Sequence, residues 1–149
     1  MRPVDLMDLK LSRTIKFTID SRLEHVALLG LAVRSICAPL PLSPTEVYQI
    51  ELSVVEAANN IIKHAYRGQP GHAVEVIATI SADHLIVEIC DSGIPIPKER
   101  RTAADYDPTD VLNLPESGMG LHIIHTAMDK VEYERHGHKN ILRLIRLFQ

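Results

Sequence analysis

One segment constrains the fold of this chain more than any other, the stretch from Ser43 to Gly68. Ser43-Pro44-Thr45-Glu46 reads as a helix start, with Ser43 as N-cap, Pro44 in the first turn and Glu46 as the partner in a capping box. Helical periodicity then runs to about Arg67, and Gly68 supplies a stop. The polar residues Glu46, Gln49, Ser53, Glu56, Asn60, Lys63 and Arg67 recur at alternating steps of three and four, which lines them along one face. The remaining positions are nearly all apolar. A helix of this kind must be deeply packed on every side except its polar stripe.

The rest of the chain supplies strands to pack against. Ser12–Ile19 alternates polar and apolar residues after Arg13, as a half-buried strand does. Asp20 or Ser21 is placed to cap a following helix, with Glu24 at the box position. That helix carries Leu23, Val26, Ala27, Leu29, Gly30 and Val33 and stops before Pro39 and Pro41. Strands are predicted at His72–Ile80 and His84–Cys90. Residues 94–116 hold Pro95, Pro97, Pro108 and Pro115 without periodicity, as a long loop does. A short helix from Gly120 to Asp129 leads to strands Lys130–Arg135 and Ile141–Leu147, turning at His136–Asn140. The expectation is an α/β two-layer sandwich, a mixed but mostly antiparallel sheet with helices on one face. Residues 1–149 read as one domain, with 1–11 a loose lead-in.

Composition excludes several function classes. Apolar residues are 46% of the 149, too many for disorder. A formal charge of -3 gives no general attraction to nucleic acid or an acidic membrane. Aromatics at 4% and the absence of Trp argue against base-stacking platforms. Cys37 and Cys90 read as buried free thiols. Met1–Leu6 has no signal-peptide character, and no run approaches the roughly 18–20 apolar residues of a membrane span, so a cytoplasmic location is expected.

Three spaced signals carry the chemistry. Glu56 and Asn60 stand one helical turn apart on the polar stripe. The Asn60 carbonyl suits Mg²⁺, and the Glu56 carboxylate can orient, or take a proton from, a hydroxyl attacking a phosphate. By itself the stripe reads first as a solvated face. Asn59 and His64 lie off it and are expected to be buried packing residues. Asp91-Ser92-Gly93 follows an apolar strand, so a carboxylate at the strand end can accept a hydrogen bond from an exocyclic amine such as adenine's. Gly93 permits a tight turn and a close approach of backbone to ligand. Taken alone, the triplet reads first as an ordinary turn. Gly118-Met119-Gly120 opens a helix and exposes N–H groups to an anion. No Walker lysine motif or dinucleotide fingerprint accompanies it.

In this order and spacing the three segments resemble the boxes of the GHKL ATPase superfamily, which includes gyrase B, MutL and histidine-kinase catalytic domains. Glu56-x-x-x-Asn60-x-x-x-His64-Ala65 is similar to its N-box, Asp91-x-Gly93 to its G1 box and Gly118-x-Gly120-Leu121 to its G2 box. Residues 94–116 take the place of the ATP lid. Within the superfamily the chain most resembles the small anti-sigma-factor serine kinases of bacterial partner-switching systems, over roughly residues 12–147. The resemblance rests on Asn60-x-x-x-His64-Ala65-Tyr66, Asp91-x-Gly93-x-Pro95 and Leu114-Pro115-Glu116-Ser117-Gly118-Met119-Gly120-Leu121.

The resemblance implies a Bergerat-type ATP-binding fold and a protein-serine kinase using ATP and Mg²⁺. It implies that Asn60 holds Mg²⁺, that Glu56 is the base or orienting carboxylate, and that Asp91 reads adenine. Gly93, Gly118, Met119, Gly120 and Leu121 would line the nucleotide. The implied partners are a STAS-domain anti-anti-sigma protein as serine substrate and a sigma factor or other regulator held in turn, with the kinase usually a homodimer. Two departures stand out. Ile96-Pro97-Lys98 replaces the family's frequent Phe-Asp-Pro, and Lys139-Asn140 stands where many relatives carry Gly-Thr near the nucleotide. A nucleotide-gated binding module without catalysis is the alternative function, and retention of both Glu56 and Asn60 favours the kinase. A sensor histidine kinase fragment is disfavoured, because residues 1–20 are too short for a dimerising phosphoacceptor helix. The pairs His122/His125 and His136/His138 read as surface residues ahead of a zinc site. Lys98, Arg100 and Arg101 form a basic cluster in the lid, read first as solvated.

Overall fold

The computed structural model describes residues 12–97 and 124–149. Strand β1 (Arg13–Asp20) is followed by a 3-10 turn at Leu23–His25 and helix α1 (Val26–Cys37). Helix α2 (Pro44–Asn60) continues into a π-helical turn, Ile61–Ala65. Strands β2 (Ala73–Ile80), β3 (His84–Asp91), β4 (Lys130–His136) and β5 (Lys139–Leu147) complete the described elements. Residues 124–127 are helical, within the short helix expected there. The lead-in 1–11, the lid and its basic cluster beyond Pro97, the segment Gly118–Leu121 and His122 lie outside the described residues.

The strands form one sheet in the order β1-β2-β3-β5-β4, and every pairing is antiparallel. This is the mostly antiparallel sheet expected from the sequence, and among the described residues it has no parallel pair. β2–β3 and β4–β5 are tight hairpins, which can pair only antiparallel, and the last hairpin docks with β5 against β3 in reverse direction.

Alternation along β2 and β3 points Val74, Val76, Ala78, Leu85, Val87 and Ile89 toward the helices. They meet Leu29 and Val33 of α1 and Ile50, Val54 and Ala57 of α2, with Leu142 and Leu144 extending the same core. Each such large side chain contributes about 1.5–3 kcal/mol by leaving water. Arg34 of α1 ties to Glu51 of α2 through two bonds of 2.8 and 2.7 Å. Cys37 and Cys90 are buried free thiols, and burial pushes both up to about 11.

The capping box of α2 forms as the sequence predicts. Ser43 Oγ accepts from the Glu46 N–H at 3.1 Å, and the Ser43 N–H donates to the Glu46 carboxylate at 2.8 Å. The box expected at Ser21 and Glu24 does not form. Ser21 is buried, and its hydroxyl donates to the Gln69 carbonyl at 2.6 Å and accepts from the His72 N–H at 3.1 Å. The connection entering β2 therefore takes the hydroxyl that the helix start needed. A second correction concerns the last hairpin. β5 begins at Lys139, two residues earlier than expected, because Gly137 adopts φ +61 and closes a two-residue turn. Asn140 is thereby a strand residue, registered opposite Asp91.

Candidate functional site

The site begins where α2 changes its pitch. After Asn60 the hydrogen bonds lengthen to the π pattern, with the Tyr66 N–H donating to the Ile61 carbonyl at 2.9 Å. Single π turns recur at functional positions because they re-aim neighbouring groups. The chain then leaves the helix through two left-handed residues, Arg67 at φ +52 and Gly68 at φ +74. The wider turn also shifts the phase of everything beyond Asn60. His64, expected to be buried, is exposed for this reason, and Asn59 is half-buried. The polar stripe is not all solvated either, since Ser53 is fully buried and donates to the Gln49 carbonyl at 2.8 Å.

Glu56 and Asn60 are both half-buried, one turn apart on α2. Among the described residues neither side chain makes a hydrogen bond or ion pair. A carboxamide oxygen and a carboxylate are thus left open side by side, an oxygen donor set of the kind Mg²⁺ and phosphate chemistry use. Their spacing is legible in the sequence, because it is a property of any helix.

Asp91 ends β3 and is buried. Its Oδ1 accepts from the Gly93 N–H at 2.8 Å and from Asn140 Nδ2 at 2.9 Å. Its Oδ2 accepts nothing among the described residues. Burial pushes the carboxyl above the ordinary carboxylate value, while Asn140, the Gly93 N–H and the charge of Arg135 hold it back. The arrangement presents one fixed acceptor oxygen at the helix-facing end of a strand.

Gly93 makes the tight turn expected of it, its N–H returning to Asp91 Oδ1, and it has a further packing task. A Cβ at this position would stand 2.5 Å from the Ala65 carbonyl oxygen, 2.7 Å from its carbon and 2.8 Å from Ala65 Cβ. The close approach is to the end of the π turn. The Ile94 N–H then donates to the same Ala65 carbonyl at 3.0 Å. The segment carrying Asn60 and the turn carrying Asp91 are joined directly by backbone.

Tyr66 makes a second joint, and sequence reasoning gives it no role. Its hydroxyl donates to the Ala73 carbonyl at 2.6 Å and accepts from the Ser92 N–H at 2.9 Å. Its ring stacks on His72 at 4.7 Å. The available signal is its place in Asn60-x-x-x-His64-Ala65-Tyr66. In the sequence Asn140 stands out only as a departure near the nucleotide, and its fold position puts it against Asp91. Just beyond Gly93 the Ile96 N–H donates to the Tyr133 hydroxyl at 2.9 Å, tying that segment to β4. The structure therefore brings Asp91 and Gly93 to the end of the helix bearing Glu56 and Asn60. Gly118, Met119, Gly120 and Leu121 fall outside the described residues.

Residues 19–146 match the histidine kinase-like ATPase domain family. The chain is 26% identical over 121 residues to a serine-protein kinase RsbW of Bacillus cereus, covering 79% of this chain and 75% of that protein. RsbW of Bacillus thuringiensis subsp. konkukian is similar to the same degree. The crystal structure of the RsbU and RsbW domains of Rv1364c from Mycobacterium tuberculosis shares the fold with a TM-score of 0.62 at 13% identity, over 91% of this chain and 32% of that one. The Acinetobacter baumannii histidine kinase AdeS follows with a TM-score of 0.51 at 20% identity, over 92% and 69%. No helix among the described residues is long and apolar enough to cross a membrane. With an antiparallel sheet covered on one face by α2, and a match extending from β1 to the end of β5, this chain belongs to the histidine kinase-like ATPase domain family.

Proposed function

We propose that this protein binds Mg·ATP between α2 and the lid and transfers the γ-phosphate to a serine of a partner protein. The observation that carries the reading is Asp91, buried at its strand end with Oδ1 tied twice and Oδ2 left to accept from a base. Adenine offers a donor at its exocyclic amine, which an ionised carboxylate accepts. Asn60 is the residue suited to hold Mg²⁺, and Glu56 the residue suited to orient the serine hydroxyl or take its proton. Mg²⁺, when bound, would neutralise phosphate charge and thereby supply much of the rate. Gly118, Met119, Gly120 and Leu121 belong on the nucleotide side of the reading.

The similarity to RsbW supports a partner-switching role. In it the substrate is a STAS-domain anti-anti-sigma protein, the alternately held partner is a sigma factor or other regulator, and the kinase works as a cytoplasmic homodimer.

Calorimetric titration with ATP, with and without Mg²⁺, tests the site. Mg-dependent binding in the micromolar range is expected, lost in Asp91→Asn and deprived of its Mg²⁺ dependence in Asn60→Ala. Glu56→Ala should keep nucleotide and lose transfer to a STAS-domain protein. A folded chain that binds no ATP overturns the reading and leaves a protein-binding module. Full transfer by Glu56→Ala removes that residue from the chemistry.

A further inference from the structure

Among the described residues Asn140 is the most fully engaged neutral side chain. It is 1% exposed, and its Nδ2 donates to Asp91 Oδ1 and to the Gly93 carbonyl, both at 2.9 Å. Its Oδ1 accepts from Arg135 Nη1 at 3.1 Å. This pattern fixes the amide in one orientation. Flipped, its oxygen would face a carboxylate and a carbonyl, two acceptors, while its NH₂ would face a guanidinium.

Resting on the ATP reading above, we propose that Asn140 is the positioning residue for base selection. It holds Asp91 so that Oδ2 alone meets the base, and thereby favours a 6-aminopurine over a 6-oxopurine. An acceptor fixed in a buried site accepts from the amine of adenine and confronts the carbonyl of guanine with a second acceptor. The bond to the Gly93 carbonyl extends the same hold to the turn seated on Ala65. If Asn140 is lost, Asp91 keeps only the Gly93 N–H on Oδ1. The carboxyl is then free to rotate or to carry a proton, and a protonated carboxyl can donate to a 6-oxo group.

The groups facing Asp91 make the prediction specific. Asn140 and Arg135 approach from β5 and β4, the Gly93 N–H from its own turn, and the Tyr66 hydroxyl from just past the π turn. On the other face of β3, the charged groups Glu75, Glu88 and Lys139 surround neighbouring Cys90. Only Asn140 donates a side-chain hydrogen bond to Asp91 among the described residues. Removing it takes away a restraint on protonation and should raise the pH at which nucleotide affinity falls.

The test compares Asn140→Thr with Asn140→Val in the full chain, titrating ATP and GTP across pH. The two replacements have nearly the same shape and suit a strand, and they differ in one donor. The preference for ATP over GTP is expected to persist largely in Asn140→Thr and to fall by about tenfold or more in Asn140→Val. The acid midpoint for ATP binding should also rise in the valine variant. Equal behaviour of the two, with thermal stability lowered but selectivity and midpoint unchanged, would assign Asn140 a packing role and overturn the proposal. If valine does not fold, Asn140→Ser against Asn140→Ala repeats the comparison with less bulk. Absence of ATP binding by the parent protein overturns the underlying reading instead, a result distinguishable because no variant is involved.

Discussion

Asn140 and Arg143 stand three residues apart on β5 and face opposite sides of the sheet. Arg143 gathers three carboxylates on the outer face, Glu88 at 3.0 Å, Glu132 at 2.9 Å and Glu134 at 2.7 Å. Asn140 is neutral and joins one carboxylate and one carbonyl on the inner face. The outer cluster has more charge and the inner one more consequence. Water screens the outer ion pairs, so each adds little to stability. Around Asn140 water is excluded, and an unmade hydrogen bond there costs its full desolvation penalty. The carboxyls shift in opposite directions for the same reason. Glu132 is held below the ordinary range, first by its bond to Lys130 and then by Arg143. Glu134 is held down first by Arg143. Asp91 is pushed up by burial.

The sharpest way to break the inner region is Gly93→Ala. The new Cβ meets the Ala65 backbone at 2.5 Å, so the helix end and the Asp91 turn must separate. A loss of about 3 kcal/mol is expected in urea unfolding. A change within about 0.5 kcal/mol would mean the turn can slide without cost. Tyr66→Phe should come next, because it removes both bonds of a buried hydroxyl while keeping the ring on His72. It should cost about 1–3 kcal/mol, and a neutral result would show that other partners replace the hydroxyl.

Asp91→Asn tests the sign of the comparison. Asp91 has its folded value raised above the ordinary 3.8, so its charged form is a burden on the folded state above that folded value. The asparagine variant should therefore be the more stable protein at pH 7. Its advantage should shrink as pH falls through the raised value and vanish below 3.8. A variant less stable than the parent at pH 7 would mean the ionised carboxylate gains more from its two donors than burial costs. Arg143→Gln should do least, lowering Tm by about 2 °C or less at neutral pH. A larger drop would show the outer cluster acting as a network.

The sequence alone determined the features that depend on local periodicity and turn chemistry. The capping box at Ser43 and Glu46, the pairing of Glu56 with Asn60 on one helix face, the strand ending at Asp91 and the division into helices over a sheet all follow from spacing along the chain. Such properties are set within one or two turns of helix or a few residues of strand. Tertiary structure decided the rest. It took Ser21 away from its helix to bind Gln69 and His72, turned His64 outward through the π turn, and seated Gly93 on Ala65. It also set Asn140 opposite Asp91, 49 positions distant in the chain. The reason is physical: a hydroxyl, carboxamide or glycine has several possible partners of nearly equal worth in water, and only the packed fold excludes water and leaves it one.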